Sequence, residues 1–127
     1  MLATRSPNEA YRRVDFDARV EGSDPRHLVN LCYEQLVSSL GSAIFAQERR
    51  DNSLKSQSLT RALSAITALQ LGVSGDHETA QALRHLYEAT RRAILDSAIA
   101  FDAALLGTIR QDFVEISRAL NASAGKA

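Results

Sequence analysis

The sequence contains two prolines, Pro7 and Pro25, and none follows Pro25. Proline removes a backbone donor and clashes with the preceding turn, so it ends or kinks helices. A proline-free run of this length can be helical throughout. It also lacks the strict apolar–polar alternation of half-buried strands. The run reads as four helices separated by short polar clusters.

The first helix is expected from Asp24-Pro25, with Asp24 as N-cap and Pro25 at the first helical position, where its missing N–H costs nothing. Val29, Tyr33, Leu36, Val37, Leu40, Ala43 and Ile44 form one apolar stripe at helical spacing. Leu28, Leu31 and Cys32 widen it, so the first half of this helix is apolar over most of its girth. Arg49 and Arg50 are expected in its last turn, where cations suit the helix dipole. Asp51-Asn52-Ser53 supplies the next N-cap. The second helix carries Leu59, Ala62, Leu63, Ile66, Leu69 and Val73 and stops at Gly72-Val73-Ser74-Gly75. Asp76 is expected to cap the third helix, whose stripe is Ala80, Leu83, Leu86, Tyr87, Ile94, Ala98 and Phe101. Asp102 caps the fourth, striped by Leu106, Ile109, Phe113, Ile116 and Leu120. No Gly or Pro separates Asp96 from Asp102, so one bent helix across that junction is the alternative.

Helices of about 20–26 residues are ~30–39 Å long, and short connections make neighbours antiparallel. The expectation is an all-α, antiparallel four-helix bundle over residues 24–122, with an N-terminal arm over 1–23 docked on it and a disordered tail over 123–127. Within the arm, Val14, Phe16, Ala18 and Val20 alternate as in an extended segment. Tyr11, Val14 and Ala18 equally fit a short amphipathic helix, and periodicity does not choose between them.

Length and charge exclude much. At 127 residues the chain is one domain. Fifteen basic residues balance fifteen acidic ones, for a net charge of zero. That gives no electrostatic footprint for nucleic acid. A single cysteine cannot form an internal disulfide. The N-terminus has no apolar run and no segment is long and apolar enough to span a bilayer, so neither a signal peptide nor a membrane helix is expected. A reducing cytoplasm is the expected compartment.

The search for catalytic chemistry yields no enzyme, metal or cofactor. His27, His77 and His85 are the only histidines, and none sits in H-E-x-x-H or Glu-x-x-His. Neither phosphate-binding glycine fingerprint nor a G-x-S-x-G elbow occurs. Cys32 lies among leucines, as a core thiol would rather than a nucleophile. His85 is the one candidate for a phosphoryl-accepting histidine on a bundle, as in histidine phosphotransfer domains. It lacks their following Lys and Gly, and Glu88 would repel a phosphoryl group.

What the residues do carry is an apolar surplus. Beyond its stripe, the third helix holds Ala82, Ala89, Ala93 and Leu95. Monomers rarely expose large contiguous apolar patches. The arm, a second copy of the chain or a partner's amphipathic helix would cover the excess.

In the first helix, Pro25, Leu28, Val29, Leu31 and Tyr33-Glu34 resemble the start of the FliS family of flagellar secretion chaperones, with Glu where the family has Asp. Ala10-Tyr11 with Val14 resembles its upstream segment. Lys55, Ala62, Ile66 and Leu69 match in the second helix, Glu78, Ala80, Leu83 and Leu86-Tyr87 in the third, and Arg92 and Asp102 near the junction. The chain departs from the family at Asp76-His77 (usually Gly-Gly), Ala82, Ala98 and Phe101 (usually Asn), and lacks the C-terminal aromatic. The resemblance implies a cytoplasmic chaperone that binds the disordered C-terminal region of flagellin and delivers it to the flagellar export gate. It implies Tyr33, Leu63, Ile66, Leu86 and Tyr87 as partner-binding residues and Tyr11 and Val14 as a cap over the groove. Each of the five also suits plain core packing. A tyrosine hydroxyl prefers a wet edge, so Tyr33 and Tyr87 are expected there. A histidine phosphotransfer-like bundle and a self-associating structural bundle are the other readings, and the free protein is expected to be a monomer or homodimer.

Overall fold

A computed structural model describes residues 25–124 as four α-helices, with side chains described to residue 122. The arm, its Tyr11 and Val14, the Asp24 cap and residues 125–127 lie outside the described residues. The helices are α1 (Pro25–Glu48), α2 (Asn52–Gly72), α3 (Glu78–Ile99) and α4 (Ala103–Ala124). No strand occurs among the described residues.

Local chemistry explains most of the boundaries. The Asp51 carboxylate accepts from the Leu54 N–H at 3.0 Å and starts α2. The Asp102 carboxylate accepts from the Leu105 N–H at 3.0 Å and starts α4. Each satisfies one of the donors a helix N-terminus leaves orphaned. The single bent helix considered for the junction is therefore broken, at Ala100–Asp102.

Three expectations are corrected. The cap of α3 is His77, not Asp76: its backbone is extended, and its Nδ1 accepts from the Ala80 N–H at 3.1 Å. The Asp76 carbonyl instead accepts from the Gln81 side chain at 3.0 Å. Second, Arg49 and Arg50 fall outside α1. The Asp51 N–H donates to the Ala46 carbonyl at 2.9 Å and the Arg50 N–H to the Gln47 carbonyl at 3.2 Å. That pair of bonds is a Schellman turn, and it holds Arg50 at φ 56°. Third, α4 continues to Ala124, past the expected bundle end at 122.

A left-handed backbone carries a Cβ penalty that glycine escapes. Arg50→Gly is therefore expected to stabilise the fold by about 0.5–1 kcal/mol. Thermal denaturation should move up by a few degrees; no rise, or a fall, would refute the argument.

The core runs along the middle of the helices. Leu36, Leu40, Ala43, Ala62, Ile66, Leu106 and Phe113 are fully enclosed. Ala43 and Ala62 are small, which lets helix backbones approach closely. Of the helix pairs, α1 and α2 pack most extensively, α4 also leans on α1, and α3 on α2; α3 and α4 meet least. Among the buried polar groups, Ser58 bonds the Ser42 hydroxyl at 2.8 Å and Thr90 bonds back to the Leu86 carbonyl at 2.9 Å. Ser39 Oγ has no hydrogen-bond partner among the described residues.

Candidate partner-binding surface

Tyr33 on α1 and Tyr87 on α3 are sealed in, 1% and 3% exposed. The expected wet edge is corrected here: the two hydroxyls satisfy each other at 2.6 Å, so neither needs water. Phe113 of α4 completes an aromatic cluster. Tyr33 stands edge-on to Tyr87 and to Phe113, at centroid distances of 6.5 and 5.5 Å, and Tyr87 stacks on Phe113 at 6.2 Å. Burial raises both phenols above their ordinary pKa and raises the Cys32 thiol too. Cys32 is thereby a core thiol rather than a thiolate.

Ile66 is also fully buried. As placed, Tyr33, Ile66 and Tyr87 have almost no surface to offer a partner. Leu63 and Leu86 differ: both are half-buried and pack against the core from its edge. Leu63 opens onto a groove of about 160 Å³ between α2 and α3, with Leu59, Ile94, Leu95 and Ala98 as its apolar lining and Lys55, Ser56 and Thr60 as its polar part. Leu95 is 40% exposed. It was not among the expected site residues, although its place off the main stripe of α3 was a visible signal. Beyond it, Ile99 at 91% and Leu105 at 43% leave the α3–α4 corner apolar. The apolar surplus is thus real surface, though it is spread over all four helices: Val29 and Phe45 on α1, Leu71 on α2 and Leu120 on α4 are exposed as well.

Further up the α2–α3 seam a polar clamp holds the helices together. Glu88 receives a hydrogen bond from Gln70 of α2 at 2.9 Å, and Arg91 and Arg92 bind its carboxylate at 3.1 and 3.2 Å. Arg91, then Gln70, and more weakly Arg92 hold its pKa down to about 2 from 4.5. A depressed carboxylate stabilises the fold above its unfolded pKa and loses that contribution as pH falls through the folded value. The stability gap between the wild type and Glu88→Gln is expected to be full at neutral pH. It should shrink between pH 4.5 and about 2; a pH-independent gap in urea denaturation would contradict this.

His85 is exposed on α3, one turn before that clamp. Among the described residues no group of three His, Cys, Asp or Glu side chains is placed to hold a metal ion. No helix of the described residues is long and apolar enough to cross a membrane.

Compared with known families, the sequence matches the model described as Flagellar protein FliS over residues 7–126. The chain belongs to the FliS family. No curated protein matches it. FliS membership carries a flagellar chaperone role. In this FliS chain, the His77 ring caps α3 just before its first residue, Glu78.

Proposed function

We propose that the protein is a non-enzymatic, cytoplasmic export chaperone for flagellin. It binds the disordered C-terminal region of flagellin, keeps it from polymerising early and hands it to the flagellar type III export apparatus. The observation that carries the reading is the FliS match across nearly the whole chain, and the apolar groove at Leu63 and Leu95 supplies a surface suited to it. A disordered terminus gives up its ordering entropy on binding and can wrap a large area. An amphipathic helix laid in an apolar groove is the natural form of such a contact.

In this reading the helices run up, down, up and down. Pairs that step away from the α1–α2 turn in opposite chain directions support it for these two helices: Gln47 meets Lys55, and further from that turn Ser42 meets Ser58. Leu63 and Leu86 are the direct contacts, with Ile66, Tyr33 and Tyr87 forming the layer that shapes them from behind. Tyr11 and Val14 cover the groove in the free protein, so displacing them costs part of the binding energy. The free protein is a monomer or homodimer and needs no cofactor.

Calorimetric titration with flagellin from the same organism, full length and lacking its C-terminal helix, tests the reading. The expected result is tight binding with a large negative heat-capacity change, lost on truncation. Leu63→Asp should weaken binding at least tenfold while the protein stays folded, and Tyr11→Ala should strengthen it. Absence of binding to every flagellin of that organism would sink the proposal.

A further inference from the structure

On the opposite flank of α1, a larger groove of about 770 Å³ separates it from α4. Its chemistry differs from that of the α2–α3 groove. Leu31, Val37 and Val114 give it apolar lining, but most of its other residues are polar, and two are arginines of α4, Arg110 and Arg118.

Arg110 is built into place. It is half-buried, and its Nε–H donates to the Val37 carbonyl of α1 at 3.2 Å. The side chain lies flat against Gly41, where a Cβ would stand 3.0 Å from Nε and 3.7 Å from the guanidinium carbon. A Cβ there would crowd the arginine and make it give by a few tenths of an ångström. With Nε anchored, the terminal nitrogens, which are the fork that binds a carboxylate side-on, have no partner among the described residues. A partly desolvated guanidinium with no counter-charge is costly unless something else supplies one. Arg118 has no carboxylate partner among the described residues either. Glu34 and His27 also line the groove and have interactions of their own.

Eight residues of helix separate the two arginines, about 12 Å along the axis. The spacing suits two carboxylates two turns apart on a helix, or four residues apart on an extended strand, about 13 Å. The apolar lining between them takes a side chain, and Ser38 and Ser117 offer hydrogen bonds along the way.

We propose that the α1–α4 groove docks an acidic polypeptide segment of a partner protein, its carboxylates held by Arg110 and Arg118. The assignment stands apart from the α2–α3 groove and holds whether or not flagellin fills that one.

The test is an NMR titration of the full chain with a synthetic alanine-based helical peptide carrying glutamates two turns apart. Its glutamine counterpart is the control. The amides of Ser38, Gly41, Val114 and Ser117 should shift with the glutamate peptide and stay put with the control. Arg110→Gln should weaken binding about tenfold or more, as loss of a charge-assisted bond does. Gly41→Ala is the second variant. It improves helix propensity while its Cβ crowds the Arg110 seat, so the protein should stay folded and the peptide should bind more weakly, in the same direction as with Arg110→Gln. Equal shifts with the glutamine peptide, shifts confined to another face, or indifference to both variants would overturn the proposal. So would equal shifts with a single-stranded oligonucleotide, which would make the ligand a phosphate chain. Replacing Glu9, Asp15, Asp17, Glu21 and Asp24 by amides in the full chain checks the remaining occupant. Movement of the Arg110 Nε–H resonance without added peptide would assign the groove to the chain's own N-terminal segment and refute a partner.

Discussion

Phe113→Ala is expected to cost about 3–5 kcal/mol, the usual range for emptying a fully buried phenylalanine site. Phe113 is 0% exposed and touches the rings of both Tyr33 and Tyr87. Its position makes the loss uneven as well as large. Helices α3 and α4 meet less than any other packed pair, so the Tyr87–Phe113 stack is a main contact across that seam. Alanine there leaves a cavity bounded by two tyrosines whose hydroxyls already hold each other, which limits how far they can collapse into the space. Urea denaturation gives the total. Hydrogen exchange gives the distribution: amides of α3 and α4 should speed up more than those of α1 and α2, because the latter pair keeps its own extensive interface. A cost below about 1.5 kcal/mol, the upper end for losing a single methylene rather than a ring, would show that the cluster is not the keystone of the seam. Uniform acceleration across all four helices would mean that the molecule opens only as a whole.

The second expected result concerns the hydroxyl pair. Tyr33→Phe removes one oxygen and strands the other in a nearly dry core. The stranded group carries its full desolvation cost, about 1–3 kcal/mol. Tyr87→Phe should cost about the same, for the same reason. The double variant removes both oxygens and leaves nothing unsatisfied, so it should cost much less than the two single changes together. The coupling from a double-mutant cycle is expected at about 1 kcal/mol or more. Strict additivity would mean that water reaches one of the hydroxyls and that the 2.6 Å bond contributes little. The rings stay in every variant, so the cycle separates the hydrogen bond from the packing that Phe113→Ala disturbs. If flagellin binds at the edge of this core, Leu63→Asp should act on affinity, while the tyrosine variants should act mainly on stability.

Some of this was legible in the residues, because the causes are local. Absence of proline after Pro25 permits helices, and the periodic stripes choose them over strands. Asp51 and Asp102 cap α2 and α4 because a carboxylate three residues before a free N–H needs no tertiary partner. Where two adjacent residues both suited the role, as with Asp76 and His77, composition favoured the wrong one. The backbone path out of Gly75, at φ 86°, brings the His77 ring to the Ala80 N–H. The turn after α1 was missed for a similar reason: Arg50 has none of the sequence marks of a left-handed residue, and the Schellman bonds hold it there regardless.

Sequence alone determined the class of the protein: a chain of four helices, each with an apolar stripe, in an order and with motifs that match FliS. It also showed more apolar surface than one bundle of this size hides. Which stripe residues face water was decided only in three dimensions, because a stripe records that a side is apolar and not which helix lies opposite. Tyr33 and Tyr87 sit 54 positions apart, and nothing in either neighbourhood announces that their hydroxyls meet. Leu63 and Ile66 share one stripe, yet one borders a groove and the other is enclosed. The seat of Arg110 on Gly41 is likewise a product of packing between α1 and α4. Period and capping act over a few residues and are written in the chain; burial is a property of pairs of helices and exists only once they have packed.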